Sequence, residues 1–131
     1  KVAKPTRPDR RAVAFLAVRE DGAVLLRRRP PTGLLGGMLE IPSTAWGDDP
    51  SDDDILSAAP VAASWWPVPG EVEHVFTHFR LRCVVHRALV PNDTPLTLWA
   101  SQERCQWVHR RDLPAIGLPS VMAKVARHGL Q

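Results

Sequence analysis

Two apolar segments on either side of Asp21-Gly22 constrain the fold of this chain more than any other feature. The first spans residues 12–19 and reads AVAFLAVR, and the second spans residues 23–29 and reads AVLLRRR. An Asp-Gly pair favours a two-residue turn with positive φ, which glycine adopts without steric cost. The sequence therefore predicts an antiparallel β-hairpin near the start of the chain.

The segments after the hairpin predict further short strands. Proline and glycine at residues 30–33 end the second strand, since proline cannot donate to a strand ladder. Residues 38–42 predict a short strand, and residues 72–76 and 79–89 predict antiparallel partners or one bent strand broken at Thr77-His78. Residues 96–99 and 106–109 are short strand candidates.

Two segments predict helices. Ser51 followed by three aspartates fits a helix N-cap with acids in the first turn, and Pro60 keeps that helix short. Residues 118–129 predict a closing helix, with Pro119 in its first turn and Gly129 just beyond its end. Strands and helices in this order predict an α+β fold with a mostly antiparallel sheet.

The chain has 131 residues, 44% hydrophobic and 24% charged, which is typical of one globular domain. We expect residues 12–131 to form that domain and residues 1–11 (KVAKPTRPDRR) to be a basic linker or arm, left by cutting a longer protein or by trimming a tag. No apolar run approaches the roughly 18 residues of a membrane helix, so we expect no membrane partner. Cys83 and Cys105 do not make a disulfide framework, which favours a reducing, cytoplasmic setting.

The net charge of +3 hides an asymmetry. Five aspartates lie between residues 48 and 54, and without them the 17 lysines and arginines would face only 9 acids. Fourteen of the 17 bases are arginine, which binds phosphate bidentately and suits a polyanionic partner, although an arginine-rich codon bias would also explain the ratio. We select four arginines as candidate DNA-phosphate contacts: Arg27, Arg29, Arg80 and Arg82.

Motifs for metal binding and covalent chemistry are missing from the sequence. The aspartate run lacks the alternating ligands, glycine and closing glutamate of an EF-hand. His74 and His78 lie four residues apart, but in an extended segment they would be separated by well over the distance that a shared metal ion allows. No Gly-x-Ser-x-Gly is present, and Cys83 lies inside a strand pattern. We therefore expect no metal, no cofactor and no catalytic residue in this chain.

The segment Phe76-Thr77-His78-Phe79 interrupts the strand pattern with two aromatics, a hydroxyl and an imidazole. Aromatic rings stack on or wedge between bases, and Thr and His side chains read base edges. Two core phenylalanines around an exposed turn would produce the same pattern. The residues alone leave both interpretations open.

Four ordered blocks resemble the C-terminal domain of the adenine-specific DNA glycosylases, the MutY family. The resemblance runs from about residue 13 to residue 130, nearly the whole chain. It implies a Nudix (MutT-like) fold, with a mixed, mostly antiparallel sheet flanked by helices. The blocks read LLRRRP at residues 25–30, GLLGGMLEIP at 33–42, HVFTHFRL at 74–81, and WV at 107–108 followed by LPSVMAK at 118–124.

In that family this domain recognises 8-oxoguanine opposite a mispaired adenine in base excision repair. A separate helical N-terminal domain with an iron–sulfur cluster excises the adenine. The family's Phe-Ser-His recognition loop corresponds to Phe76, Thr77 and His78, with Thr in place of Ser. The resemblance implies double-stranded DNA containing 8-oxoguanine:adenine and the N-terminal catalytic domain as partners. It also implies a monomer that works at the nucleoid in the bacterial cytoplasm.

Two alternatives remain at this stage. A free-standing Nudix hydrolase of 8-oxo-nucleotides or related nucleoside diphosphates would need an Arg-Glu-x-x-Glu-Glu helix that binds magnesium. The corresponding residues 47–60 read GDDPSDDDILSAAP and contain no glutamate, so we expect no pyrophosphohydrolase activity. A protein-interaction module that docks repair partners is the third class.

Overall fold

The computed structural model describes residues 7–131. Seven strands form one mixed sheet, and four α-helices accompany it. The strands are β1 (Asp9–Arg19), β2 (Ala23–Arg28), β3 (Leu39–Glu40), β4 (Trp66–Pro67), β5 (Val72–Val75), β6 (Arg80–Val90) and β7 (Gln106–His109). The helices are α1 (Asp52–Ala58), α2 (Leu98–Gln102), α3 (Leu113–Ile116) and α4 (Ser120–Leu130).

The sheet is mixed, as predicted, because its two long strands run parallel. Strands β1 and β6 pair over their whole lengths, from Asp9 opposite Arg80 to Arg19 opposite Val90. Every other pairing is antiparallel, and the strand order is β3-β2-β1-β6-β4, with β5 on β6 and β7 on β2.

The predicted hairpin joins β1 and β2, but its loop is longer than expected. Val18 lies opposite Val24, and the Gly22 N–H donates to the Arg19 carbonyl at 2.9 Å, so the loop has three residues, 20–22. Gly22 has a φ of 90°, as a three-residue loop with a glycine bulge requires. Asp21 accepts from the Ala23 N–H and from the Arg19 guanidinium, which lowers its pKa to about 2.

The two faces of β1 are buried under different layers. Alternate side chains from Ala12 to Val18 face α4, together with Leu81, Cys83 and Val85 of β6. Val13 and Phe15 face the other way, against the α1 region. Both faces of the central strands are therefore covered, which explains why β1 reads as a continuous apolar run.

Helix α4 contains a glycine that the sequence placed beyond its end. Gly129 lies inside α4 and is buried, so its predicted C-terminal capping position is wrong. A Cβ at Gly129 would lie 2.4 Å from Leu16 Cδ2 and 2.9 Å from Val85 Cγ1. The close approach of α4 to the sheet therefore requires glycine at residue 129. At the other end of the helix, Pro119 lies one residue before Ser120, where α4 begins.

Three other expectations need correction. Residues 96–99 do not form a strand: Thr97 precedes α2, whose Ala100 is fully buried, so packing favours a helical turn.

The predicted linker at residues 1–11 ends earlier than expected, since β1 begins at Asp9 and extends its pairing with β6. Residues 1–6 of that linker lie outside the described residues. The rigid turn expected after Trp65 includes the short strand β4.

The short acidic helix is confirmed. Ser51 caps α1 by accepting from the Asp54 N–H at 3.1 Å, while the Asp54 carboxylate accepts from the Ser51 N–H at 3.0 Å. Among residues 7–131, no helix is long and apolar enough to cross a bilayer.

We predict that Gly129→Ala destabilises the protein. In an open helix Gly→Ala adds stability, but here the new methyl would overlap Leu16 and Val85, so the free energy of unfolding should fall by about 1–3 kcal/mol. Urea unfolding followed by circular dichroism measures the change. Gly47→Ala is the matched control, because its added methyl meets nothing within 4 Å. An unchanged or raised urea midpoint for Gly129→Ala would contradict the packing argument.

Candidate functional site

The β5–β6 connection is a tight turn with Thr77 and His78 at its tip. The Phe76 N–H donates to the Phe79 carbonyl at 2.8 Å and closes the turn. Thr77 and His78 are both exposed, whereas Phe79 is buried. The structure therefore presents a hydroxyl and an imidazole to the surroundings on a short, closed turn.

Residues 7 and 8, at the start of the described chain, form hydrogen bonds with the turn and with the strand that follows it. Arg7 Nε donates to the Thr77 carbonyl at 3.1 Å, and the Arg80 N–H donates to the Pro8 carbonyl at 2.9 Å. A guanidinium group therefore lies at the tip of the turn.

Below the turn lies an aromatic cluster formed by Trp46, His74, Phe76 and Phe79. The rings of Phe76 and Phe79 stack with centroids 4.7 Å apart, and Trp46 lies 5.8 Å from Phe76 and 6.4 Å from Phe79. His74 meets Phe76 edge-on at 4.9 Å. Phe76 is half-buried in this cluster, which fixes the turn above it.

The surroundings of His74 favour its neutral form. Burial lowers its pKa, and the Lys124 ammonium lowers it further, with Nζ 3.1 Å from Nδ1. Lys124 also donates to the Glu73 carbonyl at 3.3 Å. A neutral imidazole packs against the Phe76 ring without placing an unpaired charge in the cluster.

Two arginines stack on the outer aromatic rings. The Arg10 guanidinium carbon lies 4.0 Å from the Phe79 ring centroid, and that of Arg29 lies 4.7 Å from the Trp46 centroid. Between them is a cleft of about 250 Å³, whose walls include Ser43 and Thr44. The aromatic cluster thus has cations against two of its rings.

Glu40 anchors the arginines of the hairpin. Its carboxylate is fully buried and accepts from Arg27 Nε at 3.0 Å, Arg27 Nη2 at 2.7 Å and Arg29 Nη1 at 2.9 Å. Arg28, on the opposite strand face, donates to the Gly37 carbonyl at 2.7 Å. Arg27 in β2 and Arg29 just after it reach the same carboxylate, so their charges are partly compensated by Glu40.

The other two candidate arginines are also paired with acids. Arg80 Nε donates to Asp9 Oδ1 at 2.9 Å and lowers the pKa of that carboxyl, while Arg82 Nη2 donates to Glu71 Oε1 at 2.8 Å. Arg82 also lies 3.5 Å from both Asp9 and Glu73. A phosphate would have to compete with these carboxylates for either guanidinium.

The structure brings the predicted Phe76, Thr77 and His78 into one turn. It divides the four arginines between the Glu40 carboxylate and the carboxylates of Asp9, Glu71 and Glu73. Their role as phosphate contacts stays a prediction.

Sequence reasoning gave no role to Glu40, Trp46 or Arg10. Glu40 could have been found as a lone carboxylate among apolar residues in a predicted strand, since a buried charge needs partners and two arginines precede it on one strand face. Arg10 was assigned to a linker because β1 extends further back than its apolar run. Nothing in the local sequence around Trp46 indicates its distant contacts with Phe76 and Phe79.

Metal and thiol chemistry find little support among residues 7–131. No three His, Cys, Asp or Glu side chains of this range form a group that could hold a metal ion. Burial raises the pKa of the Cys83 thiol to about 12, so it stays protonated at neutral pH.

Comparison with known proteins decides the family. A family model described as a NUDIX domain matches residues 13–128. The chain belongs to the NUDIX domain family. Solved structures agree at the level of the fold: the C-terminal domain of mouse MUTYH, crystallised with human PCNA, has a TM-score of 0.64, with 20% identity and 91% and 86% of the two chains covered. A MutT protein from Methanosarcina mazei Go1 has a TM-score of 0.68, with 19% identity and 95% and 96% covered.

Two curated relatives of this NUDIX domain are adenine DNA glycosylases. The human adenine DNA glycosylase is 31% identical over 137 aligned residues, covering 95% of this chain and 24% of that protein. The rat adenine DNA glycosylase is 29% identical over 113 residues, covering 79% of this chain and 21% of that protein. The chain thus spans less than a quarter of these relatives' length. The Nudix fold and the resemblance to the C-terminal domain of adenine DNA glycosylases are confirmed.

We predict that Glu40→Gln lowers the free energy of unfolding by about 3 kcal/mol. Removing one partner of a buried ion pair leaves the other charge uncompensated, and the partial exposure of both guanidiniums keeps the loss at the lower end of the usual range. Chemical denaturation measures it. Glu103→Gln is the control, because Glu103 is half-exposed, 3.4 Å from Arg27, and its loss should change stability by about 0–1 kcal/mol. Equal effects of the two changes would contradict the anchoring role of Glu40.

Proposed function

We propose that this NUDIX domain reads 8-oxoguanine in double-stranded DNA, opposite a mispaired adenine, in base excision repair. The observation that carries the proposal is the turn itself: Thr77 and His78 are exposed on a closed turn above a stacked aromatic cluster. Homology to adenine DNA glycosylases supports the same reading.

The chemistry of the lesion suits a hydroxyl at Thr77. Guanine N7 is a hydrogen-bond acceptor, whereas N7 of 8-oxoguanine carries a hydrogen and C8 carries an oxygen. A threonine hydroxyl both accepts and donates, so it can accept from N7–H of the lesion. One base-edge contact of this kind discriminates by about 1–3 kcal/mol.

Phe76 and His78 have supporting parts in the proposal. Phe76 is half-buried between Phe79, Trp46 and His74, so only part of its ring is free to wedge beside the lesion. Its packing keeps the turn rigid, which lowers the entropy lost when Thr77 meets a base. His78 is exposed at the tip and would touch the DNA backbone or hold the turn.

The arginines near the turn would contact phosphates. Arg27, Arg29, Arg80 and Arg82 are retained as proposed contacts, each with a carboxylate already beside it. Arg10 has no carboxylate partner among residues 7–131, and it lies over Phe79, one residue beyond the tip of the turn. We therefore add Arg10 and rank it first, because a phosphate there displaces no carboxylate.

The remaining steps of repair would lie elsewhere in a longer protein. We propose that a separate N-terminal domain with an iron–sulfur cluster excises the adenine, with this domain supplying recognition as a monomer in the bacterial cytoplasm. The NUDIX hydrolase alternative is disfavoured by α1, which has only seven residues and carries aspartates but no glutamate.

We predict that Thr77→Ala weakens lesion preference. Fluorescence anisotropy with this chain would measure affinity for duplexes containing 8-oxoguanine:adenine or guanine:adenine. The ratio of the two dissociation constants should fall by the equivalent of about 1–3 kcal/mol in Thr77→Ala. Thr77→Ser keeps the hydroxyl and should keep the ratio, and Thr32→Ala is a control on another exposed loop. An unchanged ratio in Thr77→Ala would refute the proposed contact.

Arg10→Ala should have a different signature. Losing a phosphate contact weakens binding to both duplexes equally and reduces the slope of log K against log salt concentration by about 0.9. Titrations at several salt concentrations measure the slope. Arg127→Ala, an exposed arginine on α4, is the control and should leave it unchanged. If Arg80→Ala reduces the slope and Arg10→Ala does not, the ranking of these arginines is wrong.

A further inference from the structure

A second feature lies on the face of the sheet that α1 covers. Here α1, residues 59–63 and Trp65 enclose a groove of about 480 Å³. Its lining is mainly apolar and includes Phe15, Ile55 and Leu56. None of the site residues described above lies in it.

Helix α1 leaves this groove open. None of its residues is buried, and Leu56 has 79% of its surface exposed. An amphipathic helix of a globular protein normally buries an apolar stripe against the core. In this chain Ile55 and Leu56 instead form part of an accessible apolar wall.

The groove is built on fixed supports. The Thr97 N–H donates to the Pro60 carbonyl at 2.8 Å, and Trp99 Nε1 donates to the Ala59 carbonyl at 3.3 Å. Trp65 packs edge-on against Phe15, with ring centroids 5.2 Å apart. Because these walls are held by the sheet and by α2, an occupant would meet a largely preformed surface.

Two polar atoms of the groove-lining residues have no hydrogen-bond partner. Trp65 Nε1 and Thr97 Oγ1 are both buried, and neither finds a partner among the residues that the structure describes. Since both atoms are inaccessible, they offer an occupant no hydrogen bond, and recognition rests on the apolar walls and the charged rim.

The charge beside the groove has one sign. Asp48, Asp49, Asp52, Asp53 and Asp54 lie in or just before α1, and Asp52 lines the groove. Within the described range none of the five forms a salt bridge, and only Asp54 has a local role, as the partner of Ser51. DNA is repelled by such a rim, whereas lysine and arginine side chains are attracted.

We propose that this groove docks a basic peptide segment of a partner protein through one or two large apolar side chains. The apolar anchors would fill the space between Leu56 and Trp65. Flanking lysine or arginine residues would face the aspartates. The site is separate from the Thr77 turn, so it would allow a protein partner and DNA to bind together.

Three hexapeptides with blocked ends test the proposal. The probes are KRLFKR, the acidic EDLFED and the anchor-free KRSSKR, each titrated into the isotope-labelled chain by NMR. KRLFKR alone should shift the indole N–H resonance of Trp65, which Trp65→Phe identifies. It should bind at least about tenfold more tightly than either of the other two, a difference of about 1.4 kcal/mol.

Variants distinguish binding in the groove from nonspecific binding elsewhere on the surface. Leu56→Ser and Asp52→Asn should each weaken KRLFKR binding several-fold, and since both side chains are exposed the fold should be retained. The matched controls are Leu89→Ser, an exposed leucine on β6, and Asp93→Asn, an exposed aspartate in a loop. All four variants should bind DNA as the unchanged chain does, so failure here leaves the lesion-reading proposal untouched.

Each opposing result overturns the proposal in its own way. Equal binding of KRLFKR and EDLFED would show an apolar site without charge preference. Equal binding of KRLFKR and KRSSKR would show simple charge attraction. A dimer in light scattering that Leu56→Ser dissolves would assign the groove to a second copy of this chain.

Discussion

The buried carboxylate of Glu40 is the interaction on which the candidate site depends. Charged groups are almost never fully buried unless they are paired, and here one carboxylate holds two guanidiniums. Glu40 lies opposite Arg27 in the β2–β3 pairing, so the ion pair also specifies the register of the short strand β3. Arg29, held by the same carboxylate, lies over Trp46, and Trp46 packs on Phe76 and so supports the turn from below.

The parallel pairing of β1 and β6 brings the turn and the start of the chain together. Since Asp9 lies opposite Arg80, the residues just before β1 reach the turn just before β6. The contact of Arg7 with the Thr77 carbonyl and the position of Arg10 over Phe79 both follow from this register. Residues 7–11, which resemble part of a linker in sequence, therefore form one wall of the site.

Local turns, caps and strand breaks could be predicted from the sequence, whereas contacts between distant parts of the chain could not. The hairpin at Gly22, the capped helix after Ser51 and the break at Thr77 follow from turn chemistry and alternation, and the structure has all three. Gly129 resembles a helix end because glycine usually marks one, and only the packing of α4 on Leu16 reveals another cause. The pairing of arginines with acids could not be predicted locally either, because the side-chain hydrogen-bond partners of Arg27, Arg80 and Arg82 lie 11 to 76 residues away along the chain.

The distribution of charge acquires a spatial meaning once those pairs are removed. Carboxylates compensate much of the basic excess around β2 and β6, whereas Arg10, beside the turn, has no salt bridge among residues 7–131. Within the same range the aspartates before and within α1 form no salt bridge either, and Asp52 lines an apolar groove. The surface near Arg10 would therefore attract a polyanion, and the surface near the aspartates of α1 would attract a basic peptide. Within residues 7–131, neither Arg10 nor these aspartates belong to the ion pairs that stabilise the sheet, so contacts made through them leave those pairs intact. A phosphate bound to one of the paired arginines would instead compete with its carboxylate.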